Sequence, residues 1–161
     1  MAGFMGWLGF HPTVTWNGED VAKIQKGLRL LKQAGVWLKP ILETIGERVV
    51  EHTDTRWGKE VDPRGNAWKP LNEHYRAWKV KEGRIDKILQ STGRLRHSIA
   101  WQLVGRMGVA IGTPVDYASY QQNDQTRRGL GRYRPFLGVD RSDRISIGKI
   151  IAKEIRKVLQ D

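Results

Sequence analysis

The spacing of apolar residues changes along the chain, and this change limits the possible folds more than any other feature of the sequence. Over residues 21–31 and 41–49, apolar side chains recur at steps of three and four, which predicts amphipathic helices. Residues 98–112 instead alternate with a period of two around a Gly-Arg-Met-Gly connection, which predicts a β-hairpin. The helical spacing returns over residues 147–159. The order predicts an α+β domain with N-terminal helices, a small antiparallel sheet with a hairpin and a C-terminal amphipathic helix.

Capping residues and helix breakers predict where the helices begin and end. Asn17 is a good N-cap for the first helix, and Gly35 suits its end. Pro40 fits the first turn of a second helix that runs towards Trp57, and Asn72 predicts the cap of a short third helix. Weaker signals predict four further elements: a helical piece around Ile88 and Leu89, a short helix after Pro114, a third strand over 134–139 and a last helix that begins near Ser142 or Asp143.

The segment between the second and third helices contains an Asp-Pro-x-Gly turn followed by a tryptophan. Asp62, Pro63 and Gly65 occupy the first, second and fourth positions of a type I turn. A calcium loop would need more oxygen ligands and a distal glutamate. We therefore predict a structural corner formed by Asp62, Pro63, Gly65 and Trp68, with Trp68 anchored on the helix before it.

The length of 161 residues predicts a single domain over 1–161. Local composition distinguishes two segments within it, an apolar N-terminal arm over 1–12 and a basic glycine- and arginine-rich loop over 122–134. The chain has no cysteine, which excludes a disulfide framework and a thiolate metal site. No apolar run approaches the roughly 20 residues of a membrane-spanning helix. The N-terminus lacks the basic region of a secretory signal. We expect neither a membrane partner nor secretion.

Motifs for catalysis are missing from the sequence. No two of the four histidines, which are His11, His52, His74 and His97, lie at a metal-ligand spacing. The sequence also has no nucleophile elbow, no Walker loop and no complete dinucleotide fingerprint. We therefore predict that the protein is not an enzyme and has no catalytic, cofactor-binding or metal-binding residues. A nuclease or another enzyme is the minor alternative.

The formal net charge of +11 favours an acidic partner such as nucleic acid. Four of the 28 lysines and arginines crowd one glycine-rich loop against a single acid, Asp124: Arg127, Arg128, Arg132 and Arg134. The loop either is simply solvated or contacts a phosphate backbone or an acidic neighbour. In the second case binding would be salt-dependent and independent of DNA sequence.

The arm over residues 1–12 carries the large apolar side chains Phe4, Trp7, Leu8 and Phe10. An apolar arm on a monomer would be an exposed patch, and tryptophan is enriched at well-packed interfaces. The chain has seven tryptophans, most of which we expect in the core. The arm packs either on the chain's own core or on a neighbouring subunit, and it is the candidate subunit interface.

Several motifs in order resemble the phage virion morphogenesis, or tail completion, family of tailed bacteriophages and prophages. They are "DPRGNAWKPL", "ILQSTGRLRHSI", "VAIGTPVDYASYQQ" and "RPFLGVDRSD", followed by the terminal helix. The resemblance covers about residues 41–160. Family members often have a His-Gln-Phe-Gly-like segment after the Tyr-Ala pair. Here Tyr117, Ala118 and Gln122 are kept, but Tyr120 and Gln121 precede Gln122 and no such histidine is present.

The resemblance implies a structural protein of the phage neck or tail end, similar to neck proteins that assemble as rings, commonly hexameric. It implies a homo-oligomeric ring that joins the tail to the head-side connector, with viral DNA passing through its lumen, and no catalytic residues. Its location would be the virion, and the host cytoplasm during assembly. The alternative is a sequence-independent DNA-binding module that works as a monomer or dimer.

Overall fold

The computed structural model describes residues 18–122 and 134–160, and it has the α+β architecture that the sequence predicts. Two strands form an antiparallel sheet. In chain order, the elements are α1 (Gly18–Gln33), α2 (Lys39–Lys59), α3 (Glu73–Lys81), α4 (Arg94–His97), β1 (Ala100–Val104), β2 (Gly108–Gly112), α5 (Ala118–Gln122) and α6 (Arg141–Val158). Among the described residues, no helix combines the length and apolar character needed to cross a bilayer.

The chain divides into two compact units, each assembled from segments that are distant in sequence. The corner unit comprises the described residues of Thr53–Ala100 and Gly112–Gly138. The hairpin unit comprises those of Thr13–His52, Trp101–Ile111 and Val139–Asp161. Helix α2 contributes its residues up to His52 to the hairpin unit and the remainder to the corner unit.

The core of the hairpin unit is made of the apolar stripes of three helices together with Leu38, which directly precedes α2. Helices α1 and α6 pack together, and a Cβ placed on Gly27 would lie 2.6 Å from Cγ2 of Ile151, so the missing side chain lets the helices approach closely. Partly buried side chains of the hairpin, such as Leu103 and Ile111, pack against the same core. The buried members are Leu28, Leu31, Leu38, Ile41, Leu42, Ile45, Val49, Ile147 and Ile151.

Local sequence determines two helix ends in the way that capping rules predict. After α1, Gly35 has a φ of +78°, and the N–H groups of Gly35 and Val36 donate to the carbonyls of Lys32 and Leu31. This pattern is a Schellman motif. At the start of α6, Asp140 accepts from the Asp143 N–H while Asp143 accepts from the Asp140 N–H, a reciprocal capping box. The predicted cap of α1, Asn17, lies outside the described residues.

The helical piece predicted around Ile88 and Leu89 is wrong. This segment forms a tight turn closed by an isolated antiparallel bridge between Lys87 and Gln90, and Leu89 has a φ of +57°. The nearest helix, α4, begins only after Gly93. A residue in the left-handed region cannot continue an α-helix, and tertiary contacts hold it there.

The third strand predicted over residues 134–139 is also wrong, because this segment has no regular secondary structure and does not join the sheet. One side chain, Gln122, takes the place of a neighbouring strand. Its Oε1 accepts from the N–H groups of Phe136 and Leu137, both at 3.0 Å, and its Nε2 donates to the Leu137 carbonyl at 2.8 Å. The backbone polar groups are thus satisfied without a strand partner.

Candidate functional site

The corner segment, residues 60–70, is a tight reversal built around one carboxylate. Asp62 Oδ1 accepts from the backbone N–H groups of Arg64 at 2.7 Å and Asn66 at 2.8 Å, and Oδ2 accepts from the Asn66 amide at 3.0 Å. The Gly65 N–H donates to the Asp62 carbonyl, which closes a β-turn, and Gly65 has a φ of +87°. The oxygens of Asp62 are therefore used by two backbone N–H groups of the corner and by the Asn66 side chain.

Trp68 fastens the corner segment to the rest of its unit. Its side chain is only 4% exposed, and its ring centroid lies 5.4 Å from that of Trp57 at an interplanar angle of 84°, an edge-to-face contact. Its indole Nε1 donates to the Pro135 carbonyl at 2.9 Å. The ring of Trp57 also contacts Phe136, with centroids 4.9 Å apart. Trp68 thus links the end of α2 to a segment that follows it by more than sixty residues.

Residues 134–138, the docked segment, lie against the corner through further contacts. Arg56 Nη2 donates to the Gly138 carbonyl at 2.9 Å. A Cβ built on Gly138 would lie 2.7 Å from both Cβ and Cγ of Pro63, so this position has room only for glycine without a shift. The corner residues Pro63 and Trp68 therefore serve as a surface on which a later part of the chain packs.

Arg134 holds this arrangement from the docked segment. It is 9% exposed, its Nε donates to the Lys69 carbonyl at 2.9 Å, and its Nη2 donates to the Pro70 carbonyl at 3.2 Å. The sequence groups Arg134 with three other arginines as DNA or lumen contacts. In the structure its guanidinium is occupied within the corner unit, which assigns it a structural role.

The remaining predicted contact residues lie outside the described residues. These are the loop arginines Arg127, Arg128 and Arg132 and the arm residues Phe4, Trp7, Leu8 and Phe10.

One group of three His, Asp or Glu side chains in the described ranges is close enough together to hold a metal ion: His52, Asp140 and Asp143. His52 Nδ1 lies 2.7 Å from Asp143 Oδ1, and the Asp143 side chain is fully buried. Both carboxylates also accept backbone N–H groups in the α6 capping box. A helix N-terminus favours negative charge. The two carboxylates therefore act as the N-terminal cap of α6, and the His52 imidazole supports this cap through its contact with Asp143.

The sequence does not predict that His52, Asp140 and Asp143 lie together, although the two aspartates form a recognisable pattern. An Asp-x-x-Asp pair ahead of an apolar helical stripe is a capping signature. His52, in contrast, is 91 positions away from Asp143 and shares no spacing pattern with it. Only the packing within the hairpin unit brings the two together.

A buried lysine supports the turn that follows α3. Lys79 is 1% exposed, and its Nζ donates to the carbonyls of Lys87 at 2.7 Å and Gln90 at 3.3 Å. Burial lowers the pKa of the Lys79 ammonium, while the nearby carboxylates of Asp86 and Glu60 act in the opposite direction. Lys79 thus stabilises the two ends of the 87–90 bridge.

Two arginine–aspartate pairs lie on the surface of the corner unit. The Arg76 guanidinium donates through Nε and Nη2 to both oxygens of Asp86, and Arg96 binds both oxygens of Asp54 in the same way. These hydrogen bonds lower the pKa of the Asp86 and Asp54 carboxyls below the ordinary value of 3.8. Both pairs join segments that are separate in sequence, so they help to fix the unit's loops.

The polar side chains described above mainly hold backbone segments of the fold in place. The chain belongs to the phage virion morphogenesis family, which it matches over residues 19–156. It is 25% identical over 144 residues to Mu-like prophage FluMu G protein 1 of Haemophilus influenzae, in an alignment that covers 88% of this chain and 95% of that protein. No solved structure matches it significantly. The family indicates a structural role in phage virion morphogenesis.

Proposed function

We propose that this chain is a ring subunit of the phage neck or tail end, which joins the tail to the head-side connector and completes the particle. The observation that carries the proposal is the family match over residues 19–156, supported by the prophage relative. The subunit acts through assembly, and no catalytic step is required of it. Its final location is the virion.

Exposed apolar side chains on the hairpin unit support a subunit interface. Trp37 is 71% exposed and Leu159 is 79% exposed, and Leu30 and Ile145 are each about half exposed. A closed ring needs one surface that binds a different surface on the next copy. Large, solvent-exposed apolar side chains are typical of surfaces that bind another subunit. The arm residues Phe4, Trp7, Leu8 and Phe10 remain the sequence-based candidates for the complementary surface.

The net charge of +11 supports passage of DNA through the ring. Arg127, Arg128 and Arg132 are the candidate lumenal contacts, because arginines that touch only phosphates hold DNA without reading its sequence. Contacts of this kind let a duplex slide past.

A phage or inducible prophage with a stop codon in this gene tests the role in assembly. We expect the lysate to contain heads and tails that fail to join, or defective tails, when viewed by negative-stain electron microscopy. Expression of the wild-type chain from a plasmid should restore joined particles. Normal numbers of infectious particles from the stop-codon mutant would show that the proposed role is wrong.

Cryo-electron microscopy of the completed particle tests the location and the symmetry. We expect density for this chain in a ring, hexameric as in similar neck proteins, between the tail and the connector. A particle that lacks the chain, or that carries it as a non-ring component elsewhere, would contradict the proposal.

Substitution of one exposed tryptophan tests the interface. Trp37→Ser should weaken self-association, measured by sedimentation velocity of the purified chain alone and with tail proteins. The free energy of unfolding should change little, because Trp37 is 71% exposed. Unchanged association by the Trp37→Ser chain would remove Trp37 from the interface.

The charge also supports a second candidate function, sequence-independent DNA binding by a monomer or dimer. Duplex affinity should then fall steeply with salt, and the combined Arg127→Ala, Arg128→Ala and Arg132→Ala variant should flatten that dependence, by a slope of about 0.9 for each phosphate that is no longer neutralised. A charge-matched control removes three exposed cations of α6, Lys149, Lys153 and Arg156. The absence of any binding at low salt would exclude this candidate.

A further inference from the structure

The hairpin of strands β1 and β2 has two outer edges and no third strand among the described residues. Within the described part of the chain, the backbone groups of residues 100–112 form hydrogen bonds only inside the hairpin. Every second residue of an edge strand directs its N–H and C=O groups away from its partner strand. Each outer edge therefore presents backbone donors and acceptors in the pattern that pairs with another extended chain.

Neither strand has the features that usually protect such an edge. Natural edge strands carry charged side chains, proline or bulges that prevent pairing with another chain. The two strands read Ala-Trp-Gln-Leu-Val and Gly-Val-Ala-Ile-Gly, without a charge or a proline, although 28% of the whole chain is charged. The edge of β1 is the more accessible one, since Ala100 and Val104 at its ends are exposed, whereas β2 ends at the buried Gly112.

The core determines which side chains of β1 face outwards. Trp101 lies over Gly46 of α2, and Leu103 packs against the core of the hairpin unit. Because side chains alternate along a strand, Gln102 and Val104 lie on the opposite face. A strand added beside β1 would place every second one of its own side chains on this outer face.

The chain itself contains a segment suited to this edge. Residues 13–16 read Thr-Val-Thr-Trp, four consecutive residues of high β propensity and no charge. They lie just before α1, which begins at Gly18 and belongs to the hairpin unit. The apolar residues further upstream are interrupted by Gly3, Gly6 and Gly9, and glycine weakens a strand. Residues 13–16 are therefore the best strand-forming part of the N-terminal segment.

We propose that residues 13–16 of one copy add as a third strand to the outer edge of β1 in the next copy. The inference rests on the proposed ring, because it requires contact between copies. Only another peptide backbone supplies both N–H donors and C=O acceptors at the spacing of this edge. The donor segment and the acceptor edge are different surfaces, so the contact repeats from copy to copy and is compatible with closure of a ring.

Disulfide cross-linking tests the pairing directly, since the chain has no cysteine of its own. One chain carries Gln102→Cys. A second chain, distinguished by an affinity tag, carries one cysteine in place of Thr13, Val14, Thr15 or Trp16. Residues opposite each other on paired strands have Cβ atoms about 4.5–5.5 Å apart, close to the reach of a disulfide. After mixing and oxidation, links between the two chains should form at alternate positions, either 13 and 15 or 14 and 16.

Two controls separate strand pairing from simple proximity. Ala152→Cys, at an exposed position of α6 in the same unit, replaces Gln102→Cys and should abolish the alternation. The combined Val14→Pro and Thr15→Pro variant should lose the links made through a cysteine at position 13 or 16. Proline donates no N–H, and one of two successive N–H groups faces β1. Ala2→Pro, a proline outside the pairing segment, should keep these links, and thermal melts of each variant check its folding.

Sedimentation velocity of the same samples, alone and with tail proteins, distinguishes this inference from the ring. A chain that carries both cysteines tests for pairing within one copy. Oligomers that show no alternating links between chains, or links found only within the doubly substituted chain, would overturn the strand addition and leave the ring standing. Absence of any oligomer would contradict the ring as well.

Discussion

At the scale of single residues, a few side chains decide how the corner unit is assembled. Trp68 has three structural features: it is buried, its ring contacts that of Trp57, and its indole N–H donates a hydrogen bond to the Pro135 carbonyl. The position of Trp68 in the sequence predicts only two of them. The first two follow from placing an aromatic residue after a turn that reverses onto a helix. The third depends on a residue 67 positions away, which no local pattern could indicate.

Truncation of this tryptophan should be costly. Trp68→Ala is expected to lower the free energy of unfolding by about 3–5 kcal/mol, because a nearly fully buried aromatic ring is lost. Urea unfolding, monitored by circular dichroism, measures this change in the free energy of unfolding. Trp68→Phe keeps most of the ring but removes the Nε1 donor, so its loss should be clearly smaller. If Trp68→Ala lowered the free energy of unfolding by less than about 1 kcal/mol, the Trp68 side chain would contribute little to stability.

A glycine in α2 supplies a second test at this scale. A Cβ on Gly46 would lie 2.6 Å from Cγ and Cδ2 of Trp101, atoms at the rigid base of the indole. Moving that ring should cost about 1–3 kcal/mol, more than the ~1 kcal/mol that alanine gains over glycine in a helix. We therefore expect Gly46→Ala to destabilise the protein in thermal and urea unfolding.

The control for this substitution is another helical glycine of the same unit. Gly148 lies in α6, and a Cβ there would meet no atom of the described residues within 4 Å. Gly148→Ala should therefore stabilise the protein, by about 0.5–1 kcal/mol. If both variants shifted stability in the same direction, the close contact with Trp101 would not be the cause.

At the scale of elements, helix ends are determined by residues that are close in sequence. The groups that bind irregular segments are determined by packing between distant parts of the chain. The Gly35 end of α1, the Asn72 cap of α3 and the capping box of α6 all follow from short-range sequence signals. The sequence predicts a strand for the docked segment because its residues suit extended backbone. The segment stays outside the sheet since Gln122 satisfies its backbone groups.

The capping box gives a prediction for α6. Asp140→Ala should lower the free energy of unfolding by about 1 kcal/mol, within the range of roughly 0.5–2 kcal/mol for N-cap losses. The reason is that the Asp143 N–H loses its acceptor at 2.7 Å. Denaturant unfolding measures the change. Ser142→Ala is the control, because Ser142 only donates to the Asp140 carboxylate from an exposed position, and an equal loss in both variants would argue against the cap.

At the scale of the whole molecule, charge determines the response to acid. The chain carries +11 near neutral pH, so protonation of its carboxylates adds to an existing self-repulsion. Carboxylates whose pKa is held below the ordinary value by arginines add to this loss of stability in acid. A lowered folded-state pKa contributes stability that is fully present above the unfolded value and is lost as the pH falls through the folded value.

Asp54 tests this linkage. The Arg96 hydrogen bond lowers the pKa of Asp54 below 3.8, so Asp54→Asn should be less stable than wild type at pH 7. The Asp54 side chain is 56% exposed, so screening limits the difference to about 0.5–1 kcal/mol. The difference should shrink as the pH falls below 3.8. Urea unfolding at several pH values measures it, and a difference that persists at the lowest pH would point to packing instead.

The sequence by itself determined the helices with clear apolar stripes, the hairpin, the turn at Asp62–Gly65 and the order of motifs that indicates the family. These features depend on neighbours within a few positions, where spacing and turn chemistry act directly. The tertiary structure alone decided that Arg134 is buried on the corner, that His52 meets Asp143 and that Lys79 supports a left-handed turn at Leu89. Each of these contacts satisfies a polar group that burial would otherwise leave unpaired, and which group is buried depends on how distant segments pack.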